Sequence, residues 1–287
     1  MKQPEIVNVS DTARWIAAVR AYETMRSDRV FLDPLAERMA GYRGAMISSR
    51  LPWMARALTE GGIIARTALI DDYIRRSIEE GCDRVVNLAA GFDTRPYRLD
   101  IPPRLDWIEV DLPALIEEKN TLTSDYKPKC NLLRSPLDLA DEPLRQDFIQ
   151  SLGESTRKTL VITEGLLAYL TTSQVRALAR DLASAPVAWW ITDVYSKWAM
   201  RTLEFSVRGH LAKSPVSFHA PDNGLGFFAD NGGWRSLELA SELAEARRIR
   251  RLPAVLTPLG QPVGETPKRS GAGNWIAITR FSAPSPN

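Results

Sequence analysis

An α/β chain built on a doubly wound sheet is predicted by three observations. After Gly81 the sequence breaks into short apolar runs bounded by turn residues. Several of these runs are apolar on both faces, as parallel strands covered by helices on each side must be. Helical stretches also intervene between them. The runs occupy 84–89, 105–110, 131–134, 159–163, 188–192 and 275–279. Between the fourth and the fifth, 172–183 reads as a helix behind a Thr171/Thr172 cap. Upstream, from 12 to 80, apolar residues recur at helical spacing, as in Trp15, Ile16, Val19 and Tyr22. Breaks at Asp33-Pro34, Leu51-Pro52 and Gly61-Gly62 divide that stretch into several expected helices.

At 287 residues, the chain suits one α/β domain with an added subdomain. The expected division is a helical N-terminal cap (1–80), a ligand-binding core (81–194), a lid or acceptor insertion (195–234) and a C-terminal part of the core (235–287). The insertion is mixed in polarity, rich in Phe, Gly and Pro, and expected to cover the ligand crevice. Lys and Arg total 37 against 35 Asp and Glu, a formal charge of +2. Acids and bases interleave instead of forming runs, so nucleic acid is not an expected partner. The first eleven residues lack the unbroken apolar stretch of a signal peptide or membrane span, which makes a cytoplasmic location the default expectation, with no membrane partner. Cys82 and Cys130 belong to no Cys-x-x-Cys or Cys/His cluster, so neither a disulfide framework nor a metal site is expected.

The chemistry concentrates where the first run ends. Residues 85–99 form a buried strand running into the small-residue turn Ala89-Ala90-Gly91, where a ligand can approach the backbone. Asp111 follows about twenty residues later, at the end of the second run, where a carboxylate can accept from both hydroxyls of a ribose. An adenine dinucleotide would be served equally well by that acid. The dinucleotide fingerprint, however, needs Gly-x-Gly-x-x-Gly to seat a pyrophosphate, and only Gly91 is glycine here. Asp93 moreover places a carboxylate where phosphate would go, and a carboxylate tolerates the cationic ammonium and sulfonium of a methionyl nucleoside far better. Asp138 and Glu164 again fall directly after apolar runs, giving four acids at successive strand ends.

Three segments then carry a resemblance: 88–99 (Leu-Ala-Ala-Gly-Phe-Asp-Thr-Arg-Pro-Tyr-Arg-Leu), 109–113 (Glu-Val-Asp-Leu-Pro) and 163–170 (Thr-Glu-Gly-Leu-Leu-Ala-Tyr-Leu). They resemble signature segments of the leucine carboxyl methyltransferase family, which includes protein phosphatase carboxyl methyltransferases and bacterial polyketide O-methyltransferases. Asp33-Pro34-Leu35-Ala36, the stretch from Ile64-Ala65-Arg66-Thr67 to Asp71-Asp72, and 227–234 match its pattern in the same order. The resemblance implies a Rossmann-like class I methyltransferase fold, a seven-stranded, mostly parallel sheet with six parallel strands and one antiparallel. It implies S-adenosyl-L-methionine as cofactor. Arg66 would then pair with the methionyl carboxylate, Gly91 would line the methionyl group, and Glu164 would accept from the methionyl ammonium. Asp111 would hold the ribose, Asp138 the adenine amino group and the Leu139 N–H an adenine ring nitrogen, with Ala89, Asp93 and Leu112 completing the cofactor set.

Methyl transfer from a sulfonium releases a neutral leaving group, so the acceptor decides whether further chemistry is needed. A carboxylate with a pKa of about 4 is already ionised, and alignment at about 3–3.5 Å suffices. A phenol with a pKa of about 10 gains from a base, for which His210, His219 and Tyr195 are the candidates. Trp198, Phe205, Phe218, Phe227, Phe228 and Trp234 could line an apolar cleft for a planar, polyketide-like acceptor or could pack as core. The expected activity is O-methylation of a carboxylate or acidic hydroxyl on a small molecule. The alternatives are a protein C-terminal carboxylate as acceptor, a nicotinamide-dependent oxidoreductase, and a non-catalytic nucleoside-binding module. A homodimer is compatible with an exposed aromatic surface.

Overall fold

The computed structural model describes residues 9–50, 52–154, 157–196, 199, 224–260 and 276–284. Seven strands form one sheet: β1 (Arg84–Leu88), β2 (Asp106–Asp111), β3 (Asn131–Pro136), β4 (Thr159–Thr163), β5 (Val187–Tyr195), β6 (Arg235–Ser241) and β7 (Ile276–Ser282). Their order is β3-β2-β1-β4-β5-β7-β6, with helices α4 (Arg95–Arg98), α5 (Pro113–Thr123) and α6 (Glu142–Ser151) following β1, β2 and β3 in the chain. β7 runs antiparallel to both β5 and β6, and every other pairing is parallel. The expected six-plus-one arrangement is therefore observed.

Successive residues of β1 point to opposite faces, and each face is covered. Val86 and Leu88 join Val161, Trp190 and Phe281 in one core, together with α7 (Thr172–Ser184). Val85 joins Trp107, Leu160, Ile162 and Ile191 in the other, against Ile70, Tyr73 and Ile74 of α3 (Trp53–Glu79). This two-sided burial is why the strand runs are apolar throughout. The cap on α7 is a full capping box, Thr171 Oγ1 accepting from the Gln174 backbone N–H while the Gln174 side chain accepts from the Thr171 N–H.

The N-terminal helices α1 (Val9–Thr24) and α2 (Ala36–Arg50) sit over the loop that leaves β1. Ala17, Ala18, Leu35 and Met39 pack on Phe92, and Arg20 donates to the Phe92 carbonyl at 2.6 Å and to Asp33 at 2.8 Å. Asp33 also accepts from Thr94 at 2.7 Å, so the cap is tied to the ligand-side loop by buried polar contacts. Among the described residues no helix is long and apolar enough to cross a membrane.

Three expectations are corrected here. The break at Gly61-Gly62 does not occur, and α3 runs through both glycines. They serve close packing: a Cβ on Gly61 would lie 2.7 Å from the Arg251 carbonyl oxygen, and one on Gly62 would lie 3.0 Å from Glu242 Oε2. The described end of the insertion, 224–234, does not cover a crevice. Its helix α8 (Gly226–Asp230) packs into the sheet core, with Phe228 and Trp234 edge-on to Trp190 at 5.3 and 5.4 Å. Phe227, Phe228 and Trp234 are thus core and not cleft, whereas Trp198, Phe205 and Phe218 lie outside the described residues. Finally, β6 forms the edge of the sheet over residues where no strand run is expected.

Candidate functional site

The carboxyl ends of β1, β2, β3 and β4 open into a cavity of about 550 Å³. All nine residues expected to bind a cofactor, Arg66, Ala89, Gly91, Asp93, Asp111, Leu112, Asp138, Leu139 and Glu164, line it. They come from α3 and from four separate strand ends, so the sheet order and the packing of α3 on the sheet bring them together. Of the catalytic candidates, Tyr195 lines the same cavity. It does so as the last residue of β5, not as part of an insertion. His210 and His219 lie outside the described residues.

The turn after β1 is backbone-strained in the way small residues permit. Ala89 has φ 57° and Gly91 φ 47°, left-handed values that disfavour a larger side chain. This winding aims the Gly91 N–H at Asp111 Oδ2 (2.6 Å), while Oδ1 of the same carboxylate accepts from the Leu112 N–H at 2.8 Å. Asp111 is 6% exposed, and burial raises its pKa more than those two N–H groups lower it. Each oxygen keeps a lone pair for a ligand hydroxyl. Asp138 is exposed at the cavity wall and accepts from the Ala140 N–H at 2.9 Å, and Leu139 is buried beside it.

Deeper in, the site is a lattice of guanidinium and carboxylate groups. Arg66 donates from Nε to Glu164 at 2.9 Å and from Nη1 to Asp193 at 3.4 Å, and Glu242 stands 4.0 Å from Nη1. Arg95 bridges Glu164 (2.9 Å), Asp93 (2.8 Å) and Asp71 (2.7 Å). Asp71 in turn takes both terminal nitrogens of Arg98, at 2.6 and 2.8 Å. Asn87 on β1 donates to Asp93 at 2.8 Å. Burial works against the charge on Asp93, but Arg95, Lys119 and Arg98 outweigh it and hold the carboxyl well below its usual range. Glu164 is held low in the same way, by Arg95 and then Arg66 against burial.

Two acids behave oppositely. Burial lifts Asp193 above its ordinary value despite Arg66, the Tyr195 hydroxyl and the Gly165 N–H. Glu242, the first residue of α9 (Glu242–Arg248), is pushed by burial up to about 8. The Tyr195 hydroxyl donates to Asp193 Oδ2 at 2.5 Å, and burial with the Asp193 charge raises its pKa further. A hydroxyl so engaged is a poor proton acceptor.

Asn87, Arg95, Asp193 and Glu242 were not singled out from the sequence. A signal existed for two of them. Arg95 lies within the 88–99 segment, and Asp193 follows an apolar run by the same rule that exposed the other four acids. Asn87 inside a strand and Glu242 at the start of a late helix carry no comparable mark.

The leucine carboxyl methyltransferase family model matches residues 13–183. A putative S-adenosyl-L-methionine-dependent methyltransferase of Mycobacterium tuberculosis is 35% identical over 179 residues, 57% of this chain and 54% of the relative. This chain therefore spans about half the length of that relative. A second such protein from the same organism is 32% identical over 225 residues, covering 68% of this chain and 73% of the relative. Among solved structures, a DUF574 family protein from Streptomyces avermitilis has a TM-score of 0.59 at 14% identity, over 95% of this chain and 97% of that one. A putative methyltransferase from Thermobifida fusca has 0.57 at 14% identity, over 99% and 96%. These two share the fold.

Proposed function

The chain belongs to the leucine carboxyl methyltransferase family, and from that premise we propose that it is an S-adenosyl-L-methionine-dependent O-methyltransferase acting on a carboxylate or acidic hydroxyl of a small, aromatic or polyketide-like molecule. The observation that supports this most is the convergence of Asp111, Asp138, Glu164 and Arg66 on one cavity beside the Gly91 turn. The donor set fits the cofactor: Asp93, Asp193 and Glu242 join Glu164 around Arg66 and Arg95, so an ammonium and a sulfonium find negative partners, and the Gly91 turn carries Asp93 where a pyrophosphate would be repelled.

Bound there, the donor supplies an electrophilic methyl group on a positively charged sulfur. The Asp111 carboxylate, fixed by the Gly91 and Leu112 N–H groups, orients the ribose. Asp138 and the Leu139 N–H address the adenine. Glu164, held ionised by Arg95 and Arg66, accepts from the ammonium, and Arg66 offers its Nη1 side to the carboxylate. The remaining wall is largely apolar, with Ala55, Leu58, Ile63, Leu259 and Ile276, and excludes water around an apolar acceptor. An acceptor already ionised needs only positioning in this wall, which accords with Tyr195 being committed to Asp193.

Calorimetry with S-adenosylhomocysteine tests the cofactor, and release of S-adenosylhomocysteine from the methyl donor in the presence of a panel of aromatic acids and phenols tests the transfer. Binding of NAD in place of the nucleoside would overturn the reading. Binding of the nucleoside without turnover on any small-molecule or peptide acceptor would reduce it to a binding module.

A further inference from the structure

Of the five acids lining the cavity, Asp93, Asp111, Asp138 and Glu164 each accept a hydrogen bond from a side chain or a backbone N–H, and Glu242 stands apart from them. It is 5% exposed, and its Oε1 has no hydrogen-bond partner among the described residues. Arg66, the nearest guanidinium, turns Nε to Glu164 and Nη1 to Asp193 with N–H donors to spare, but its Nη1 lies 4.0 Å from Glu242 Oε1, too far for a hydrogen bond. The placement is nonetheless enforced. α9 packs on α3, and Gly62 leaves the room that Glu242 occupies, since a Cβ there would meet Oε2 at 3.0 Å. A surplus buried carboxyl in a ligand cavity calls for a ligand-side reason.

We infer that Glu242 belongs to the donor site: it takes up a proton as the donor's carboxylate settles on Arg66 and, so protonated, donates a hydrogen bond to that carboxylate. The inference rests on the donor reading proposed above. Its geometry is simple. An oxygen about 2.8 Å from both Arg66 Nη1 and Glu242 Oε1 fits a gap of 4.0 Å, as a bridging carboxylate oxygen would. Two carboxylates at that distance cannot both stay ionised, so one proton from solvent must join them. The groups acting on Glu242 are Arg66 from α3, Asp193 and Tyr195 from β5, and Glu164 behind β4. Of these only Arg66 favours the ionised form, and an arriving carboxylate neutralises that help. Because the free carboxyl titrates near 8, the uptake is largest above that pH and small near pH 6.5.

The test is calorimetry of S-adenosylhomocysteine binding at pH 6.5 and 8.5, each in two buffers of different ionisation enthalpy. Wild type should take up roughly half to one proton per ligand at pH 8.5 and much less at pH 6.5, and its affinity should fall by up to about tenfold per pH unit above 8. Glu242→Gln keeps a hydrogen-bond donor but cannot titrate, so this uptake and the steep pH dependence should disappear. The ligand's own ammonium titrates equally with both proteins and cancels in the difference. Equal uptake by wild type and Glu242→Gln overturns the inference. Should the variant not fold, absence of uptake by wild type at pH 8.5 overturns it alone. Failure of the nucleoside to bind at either pH is a different result: it sinks the donor reading itself, and this inference with it.

Discussion

Replacing Asp71 by Ala should cost the protein about 3–5 kcal/mol, although the residue does not line the cavity. Asp71 is 1% exposed and accepts three short bonds, from Arg95 Nε (2.7 Å) and from Arg98 Nη1 (2.6 Å) and Nη2 (2.8 Å). Arg95 survives the loss well, because Asp93 and Glu164 remain at 2.8 and 2.9 Å. Arg98 does not. It keeps Asp33 only at 3.8 Å and the Phe31 ring at 5.4 Å, and its Nε already lacks a hydrogen-bond partner. The penalty is thus that of one buried guanidinium stripped of its counter-ion, and Asp71→Asn, which retains an acceptor oxygen, should cost roughly half as much. With a denaturant slope of about 3 kcal/mol/M, the urea midpoint of the Ala variant should drop by roughly 1–1.7 M, read by circular dichroism and tryptophan fluorescence together. A loss under about 1 kcal/mol would mean that the lattice relaxes around Arg98, and the ranking of partners drawn from these distances would be refuted.

Three further outcomes follow from the same geometry. Asp111→Ala should weaken S-adenosylhomocysteine binding by roughly 1–3 kcal/mol, and unchanged affinity by calorimetry would contradict the ribose assignment. Gly61→Ala gains about 1 kcal/mol of helix propensity but drives a Cβ to 2.7 Å from the Arg251 carbonyl oxygen, so a net loss of about 1–2 kcal/mol is expected by thermal melting, and a stabilised variant would show that the contact yields freely. For Glu242, the folded-state pKa of about 8 lies above its unfolded value of about 4.3, so the unfolded state sheds this proton first and stability falls as pH rises between the two. Glu242→Gln removes that dependence, and its melting temperature should gain on wild type steadily from pH 5 to pH 8; a constant difference across that window would exclude a buried, titrating Glu242.

The fold was legible wherever burial is two-sided. β1, β4 and β5 announce themselves because both faces are covered, and α7 because its apolar stripe and its capping box agree. β6 escaped because it is an edge strand paired only to β7: Arg235, Ser236 and Leu237 are exposed, and Glu238 leads a half-buried stretch, so no apolar run forms. Gly61-Gly62 misled for the opposite reason. Glycine is a helix breaker only in the absence of a tertiary need for missing side chains, and the approach of Arg251 and Glu242 to α3 is set by packing between segments some 180 residues apart. Phe227, Phe228 and Trp234 have the composition of an aromatic cleft and the position of a core, which only the location of Trp190 decides.

The site was legible through one rule, that acids after apolar runs end up at the same edge of a parallel sheet, and the rule holds for Asp193 as well. What it could not convey is balance. In the buried lattice Asp71, Asp93, Glu164 and Asp193 already outnumber Arg66, Arg95 and Arg98 before Glu242 is considered. The shortage of positive charge is uneven: Arg95 and Arg66 hold Asp93 and Glu164 low, whereas Asp193 and Glu242, on the far side of Arg66, are pushed up. A ligand that is cationic toward Glu164 and anionic toward Arg66 meets both halves of that gradient, the first by supplying charge and the second by drawing a proton onto Glu242. A pyrophosphate, negative along its whole length, would meet only the second and would be repelled at Glu164 and Asp93.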